Sequence, residues 1–145
     1  MRIWHKDYTL ESLKSLTSQY MTGHLRIEFI EIAPDYLKAR MPVDDHTHTP
    51  RGLLHGGASC ALAETVGSTA SFLSIDPDKQ TAVGLEINAN HLRGVREGYV
   101  IGTARPVHIG RSTHVWDIRI HAEDSQKPVC ISRLTVAILQ KNGIS

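Results

Sequence analysis

The chain has 145 residues, enough for one domain with one hydrophobic core. Hydrophobic residues make up 41% and charged residues 21%, the balance of a globular protein and not of a disordered or fibrous one. The formal net charge is +1, with no basic run and no acidic tail, so neither nucleic acid nor a basic partner is expected.

In chain order, Thr9 is placed to cap a helix from Leu10 to Tyr20, with Glu11 in its first turn and Gly23 as its end. Leu25, Ile27 and Phe29 alternate with polar neighbours, and Ile30 and Ile32 then take the opposite parity. That pattern predicts a strand with a bulge near Phe29–Ile30. Ala33-Pro34-Asp35 makes a turn, and Tyr36 to Met41 returns as the second strand of a hairpin. A polar, His-rich loop follows from Asp44 to Arg51.

From Gly56 to about Ser74 the chain reads as one helix, broken by Asp76-Pro77-Asp78. It is apolar nearly all round, which predicts a helix buried in the domain. Thr81 to His91, Tyr99 to Val107, His114 to His121 and Val129 to Leu139 read as strands joined by hairpin turns. The expected class is α+β, a single domain over residues 1–145, with a curved antiparallel sheet of five or six strands wrapped round one long helix. The N-terminus lacks the apolar core of a signal peptide, and Gly52 to Leu73 contains His and Glu and makes a poor membrane span. A cytoplasmic protein that does not enter a membrane is expected. Cys60 and Cys130 lie in apolar stretches and read as reduced, buried thiols.

The chemistry concentrates in Gly52-Leu53-Leu54-His55-Gly56-Gly57 and the helix that follows. The first N–H groups of a helix lack internal partners and carry the positive end of its dipole. Gly56 and Gly57 either make a tight turn into a packed helix or let a carbonyl oxygen approach those donors, as in an oxyanion hole. His55 either orients the turn or acts as an acid–base group. Glu64 is a carboxylate inside an apolar helix, and Ser68 lies four residues on, on the same face. Such a pair can hold and deprotonate a water, the carboxylate can attack a carbonyl itself, or hydrogen bonds simply satisfy a buried Glu. Gly56 and Glu64 are roughly 12 Å apart along one helix, at about 1.5 Å rise per residue. If both act on one carbonyl, they come from two chains of an obligate oligomer. Asp44, Asp45, His46 and His48 show no metal-ligand spacing of a recognised kind and read as a polar loop. Arg93, Arg96 and Arg111 are either solvated charges at strand ends or phosphate contacts, and Gly110-Arg111-Ser112-Thr113 could donate several hydrogen bonds to an anion.

His55-Gly56-Gly57 with Glu64, together with Met41-Pro42-Val43-Asp44, Gly84 to His91, Val115-Trp116 and Ser132 to Thr135, is similar to one known group over nearly the whole chain. It resembles the hotdog-fold acyl-CoA thioesterases of the phenylacetate-degradation and Arthrobacter-type 4-hydroxybenzoyl-CoA thioesterase group. The resemblance implies a hotdog fold that pairs through its sheets as a dimer or dimer of dimers. It implies an acyl-CoA substrate, so that coenzyme A belongs to the substrate and no cofactor or metal is needed. Carried over by position, the Gly56 N–H polarises the thioester carbonyl. Glu64 of the neighbouring chain is nucleophile or general base, Ser68 holds the water, and His55 supports the turn or bonds near the carbonyl. His91, Arg93 and Gly110, Arg111, Ser112 and Thr113 fall where relatives contact coenzyme A. Two positions depart from the group. Thr49 stands where many relatives carry Gln or Asn, whose amide assists the carbonyl, with His48 beside it as a substitute. Arg51 stands where close relatives carry Phe, and favours a polar or anionic acyl group. The reading is an acyl-CoA thioesterase, with a non-catalytic acyl-CoA sensor as the alternative that Thr49 leaves open.

Overall fold

The computed structural model describes residues 1–142. Six strands form one sheet: β1 (Glu28–Ile32), β2 (Leu37–Pro42), β3 (Gln80–His91), β4 (Tyr99–Ile109), β5 (Thr113–Ala122) and β6 (Pro128–Gln140). Their order is β1-β2-β4-β5-β6-β3, and every neighbouring pair is antiparallel. The expected bulge lies between Phe29 and Glu31, where the change of parity requires an extra residue. One expectation fails: β3 does not form a hairpin with β4. It crosses to the far edge of the sheet and pairs with β6 over most of its length. A hairpin reading assumes that neighbours in sequence are neighbours in the sheet. Here the long register with β6 outweighs that local option.

The long helix, α3 (Gly56–Leu73), lies across this sheet. Leu62, Ala63, Val66, Ala70 and Leu73 are fully buried against Leu37, Ala39 and Met41 of β2, Trp116 and Ile118 of β5, and Leu134 and Val136 of β6. Each such Leu, Ile or Val contributes about 1.5–3 kcal/mol by leaving water. Gly67 lets the helix approach the sheet closely, because a Cβ there would stand 2.6 Å from Leu134 Cδ2 and 2.9 Å from Ile118 Cδ1. The opposite face of α3 departs from expectation. Cys60, Ala61, Glu64, Thr65 and Ser68 are only half-buried, so the helix has one face against the sheet and one open. Its small apolar residues mimic all-round burial in the sequence.

The N-terminal helix is also shorter than predicted. Thr9 does cap it, accepting the Ser12 N–H, but α1 spans only Leu10–Leu13. A 3-10 turn and then α2 (Tyr20–His24), with Gly23 inside it, replace the rest. Ser12, Thr17 and Ser18 hydroxyls bond carbonyls three residues back and compete with helical bonding. Leu10 and Leu16 are 40% and 43% exposed, so little burial opposes them. Among the described residues no helix is long and apolar enough to cross a membrane.

One polar network ties α3 to the sheet core. Trp116 Nε1–H donates to Ser71 Oγ at 2.7 Å, and Ser71 Oγ lies 3.1 Å from His114 Nδ1. With its oxygen accepting from Trp116, the Ser71 hydroxyl is free to donate to an unprotonated Nδ1. Burial holds the His114 imidazole below its ordinary pKa, helped by the charge of His108 and opposed by a bond to the Gly110 carbonyl. Burial acts likewise on His121. As pH falls below about 6.5 the unfolded chain takes up these protons before the folded one does. Stability therefore falls in that window. Urea midpoints should drop between pH 7.5 and 5.5, with a shallower slope in His114→Gln; an unchanged slope would exclude His114 as the source.

Candidate active site

The start of α3 defines the site. His55 is its N-cap, with extended backbone, and its Nδ1 accepts the Gly57 N–H at 2.8 Å. The Ala58 and Ser59 N–H groups both turn back to the His55 carbonyl, at 3.0 and 3.2 Å. Among the described residues the Gly56 N–H is the one donor of this first turn left without a partner in the chain. It sits at the positive end of an 18-residue helix. Because Nδ1 accepts, a neutral His55 carries its proton on Nε2. The loop before it is pinned: His55 N–H donates to Thr47 O at 2.8 Å, Leu54 N–H to Val95 O at 2.8 Å, and Thr49 N–H to Leu53 O at 2.7 Å. Gly52, at φ +73°, makes the turn that a side chain would strain.

A cleft of about 380 Å³ opens at Gly56, lined by Thr49, Arg51, Ser59, His91 and Arg93 above an apolar floor that includes Leu53 and Leu54. No carboxylate of the described residues lines it. The His91 ring packs on Gly56, where an added Cβ would meet Nε2 at 2.9 Å. On the other side of the turn His55 and Gly57 face a second hollow of about 340 Å³, with Met21, Leu25, His46 and His48. His48 Nε2 is 2.8 Å from the Arg96 carbonyl and does not line the cleft at Gly56, so it is not placed there as the substitute expected beside Thr49.

Glu64 is separate from that cleft. Its Oε1 accepts the Ser68 hydroxyl at 3.2 Å, and the carboxylate rests on Gly84 of β3, where any Cβ would overlap that oxygen. Along α3 it stands roughly 12 Å from Gly56. The turn Gly110 to Thr113 lies nearer the Glu64 end. Thr113 pairs with Ala137 and Ala137 with Val83, whereas His91 pairs with Cys130. At about 3.3 Å per residue, the two rows are roughly 20 Å apart along β6. Of the residues read from the sequence, the chain thus brings together Thr49, Gly56, His91 and Arg93 in one cleft, with His55 capping the helix on the other side of the turn. Glu64 and Ser68 form a second group, and Gly110 to Thr113 a turn closed by a Gly110 N–H to Thr113 O bond of 2.9 Å. Gly84 and Ser59 were missed as site residues. A glycine inside a long strand was the available signal for close approach by another group.

Asp44, Asp45 and His46 do converge, their ligand atoms lying within 4.8 Å of one another. The Arg26 guanidinium already meets two of them, 3.2 Å from Asp44 Oδ2 and 2.9 Å from His46 Nδ1. Both thiols are free; Cys130 is buried, which pushes its pKa up to about 11, and Cys60 is half-buried. The cap is testable by itself. His55→Ala should cost about 1 kcal/mol in a urea titration, and His55→Asn, whose side-chain oxygen accepts the same N–H, should recover most of it.

Comparison with known proteins gives the family. Residues 51–129 match the family model described as Thioesterase superfamily. The chain is 50% identical over 137 residues to the 1,4-dihydroxy-2-naphthoyl-CoA hydrolase of Escherichia coli, covering 94% of this chain and 99% of that one. It is 46% identical to the proofreading thioesterase EntH of Cronobacter turicensis, covering 94% and 98%. The crystal structure of a Pseudomonas aeruginosa thioesterase, a glutamine-to-alanine variant, superposes with a TM-score of 0.92 at 49% identity, covering 95% of this chain and 99% of that one. Identity of this extent over almost the full length of both partners, on the same helix-in-sheet architecture, makes the chain a hotdog-fold member of the thioesterase superfamily and a thioester hydrolase.

Proposed function

We propose that the protein hydrolyses an aromatic acyl-CoA to the free acid and coenzyme A, at a site completed by two copies of the chain. The observation that carries this reading is the division of the machinery along α3: a free N–H at Gly56 and a carboxylate at Glu64, too far apart to meet on one carbonyl. The open face of α3 and the unpaired edge of β3, with Val83 48% and Leu85 61% exposed, favour a second copy as the supplier of the missing half.

In this mechanism the thioester carbonyl oxygen accepts the Gly56 N–H and the helix dipole polarises it. Glu64 of the partner copy acts as general base or as nucleophile. As base it takes a proton from a water shared with Ser68, and the hydroxide adds to the carbonyl carbon. As nucleophile it forms the anhydride that water then opens. In both routes the C–S bond breaks, and the coenzyme A thiolate leaves and is protonated. His55 keeps the turn in shape through its bond to Gly57. Arg93 faces the phosphates of coenzyme A from the cleft, and the Gly110 to Thr113 turn serves the partner copy's cleft. An aromatic acyl group is supported by the name of the Escherichia coli relative, a hydrolase of 1,4-dihydroxy-2-naphthoyl-CoA. No cofactor takes part, and the cytoplasm, where acyl-CoA is made, is the proposed compartment.

Thiol release from a panel of aryl, hydroxyaryl and aliphatic acyl-CoAs tests the reading. Glu64→Ala should lose about 10²–10⁴-fold in kcat while keeping its fold. Turnover at the parent rate would sink the mechanism, and coenzyme A esters that bind the parent without turnover would favour a sensor. Complementation tests the shared site. Glu64→Ala mixed with Gly56→Val should regain activity, up to about a quarter of the parent's, because a mixed pair holds one intact site. A mixture that stays inactive places both groups within one chain. Arg51 lines the cleft with no ion pair among the described residues. Arg51→Phe should lower kcat/KM for carboxylated and hydroxylated aryl-CoAs relative to benzoyl-CoA, and an unaltered ranking would remove Arg51 from substrate selection.

A further inference from the structure

A site shared by two copies fixes how the copies meet. Its two halves lie on one helix, the free N–H at Gly56 and the carboxylate at Glu64, roughly 12 Å apart. A closed pair of identical chains has a two-fold axis, so each contact occurs twice with its roles exchanged. If Gly56 of one copy meets Glu64 of the other, Glu64 of the first meets Gly56 of the second. The two α3 helices then run antiparallel, and the axis crosses them midway between these residues. That level is Cys60.

The flank of α3 that faces the axis is fixed as well. Glu64 rests on Gly84 of β3, and His91 at the far end of β3 packs on Gly56. This flank therefore follows an edge strand whose outer side is unpaired. Cys60 comes one helical turn before Glu64 and shares its face. It is a free, half-buried thiol, whereas Ser59, Leu62 and Ala63 beside it are buried against the sheet. Packed helix axes stand about 8–10 Å apart, with Cα atoms about 2.3 Å from each axis. At the wider spacing, facing Cα atoms are roughly 5 Å apart, within the span of a disulfide. The other thiol, Cys130, is 1% exposed, and burial pushes its pKa up to about 11, so it is a poor competitor for oxidation.

We infer that two copies of the chain meet along this flank of α3 with their Cys60 thiols opposed across the two-fold axis, a pair that a small disulfide oxidises to a bond locking the two shared sites together. The inference rests on the two-copy site proposed above and adds its geometry. The step is thiol–disulfide exchange with glutathione disulfide. One Cys60 thiolate attacks a glutathione sulfur, and a glutathione thiolate leaves. The Cys60 thiolate of the partner copy then attacks the protein sulfur of the mixed disulfide and releases the second glutathione. Two protein thiols become one disulfide, one glutathione disulfide becomes two thiols, and the two protein protons end on those thiols. The new bond lies roughly 6 Å along the helix from Gly56 and from Glu64 and consumes neither.

Oxidation of the full chain with glutathione disulfide, read on a non-reducing gel, tests the inference. The parent and Cys130→Ser should form a covalent dimer at a rate independent of protein concentration, and dithiothreitol should reverse it. Cys60→Ser should form none. Thr65→Cys in the Cys60→Ser background should cross-link at least about tenfold more slowly than the parent, because thiols five residues from the axis stand roughly 15 Å apart. A parent that is dimeric in solution and gives no cross-link overturns the opposed thiols. So does one that loses both thiols yet runs as a single chain, because Cys60 has then paired with Cys130. A cross-link at Thr65→Cys as fast as that at Cys60 overturns the antiparallel register. The mixture of Glu64→Ala with Gly56→Val separates the two failures. Recovered activity without a Cys60 cross-link keeps the shared site and refutes an axis at Cys60. Neither recovery nor cross-link refutes the shared site itself.

Discussion

The first turn of α3 has more donors than the chain has acceptors for them, and the rest of the site follows from how that imbalance is arranged. His55 answers three of the N–H groups, one through its ring and two through its carbonyl. That leaves Gly56 as the residual donor, and a helix places it where the dipole adds to its pull. The arrangement holds only if His55 is fixed. Its own N–H goes to Thr47 O, and the Thr47 hydroxyl, 2% exposed, goes to Pro42 O at the end of β2. The loop is thus tied to the sheet at one end and to the helix at the other. A free donor is costly in an apolar interior. Here it faces a cleft, so the imbalance becomes a binding site.

Glu64 sets the second constraint. A carboxylate on a packed helix needs room and a partner. Ser68 gives the partner, and the missing side chain of Gly84 gives the room. That room exists because β3 runs along the edge of the sheet beside α3, paired with β6 only. The crossover that carries β3 past β4, β5 and β6 therefore serves both halves of the site. One end of β3 seats Glu64 on Gly84, and the other brings His91 to Gly56.

Local patterning made much of this readable. The bulge in β1, the limits of α3 and the four long strands follow from periodicity and breakers, and the His-Gly-Gly turn follows from helix-terminus chemistry. What escaped was set by distant pairing. Alternation in β3 says which residues share a face, but it does not say that the strand pairs with β6. Without that pairing Gly84 is only a glycine in a strand, and His91 only a polar residue at a strand end. The short N-terminal helices escaped for the opposite reason. Their hydroxyls offer the backbone local alternatives, and only Leu13 is buried deeply enough to oppose them.

The charges around Gly56 set the balance of the cleft beyond one hydrogen bond. Arg51 and Arg93 line it with no carboxylate of the described residues beside them, so negative charge that develops on a bound oxygen sits in a positive field. Such a field is diffuse, is screened by salt and acts on substrate and transition state alike, whereas a donor aimed at the oxygen discriminates between them. Electrostatic surroundings of this kind raise occupancy by an anionic coenzyme A ester but leave the chemical barrier nearly where it was. The chemical step therefore depends on a donor with fixed direction. In this cleft the donor whose direction is fixed is the Gly56 N–H, held by the helix and its His55 cap.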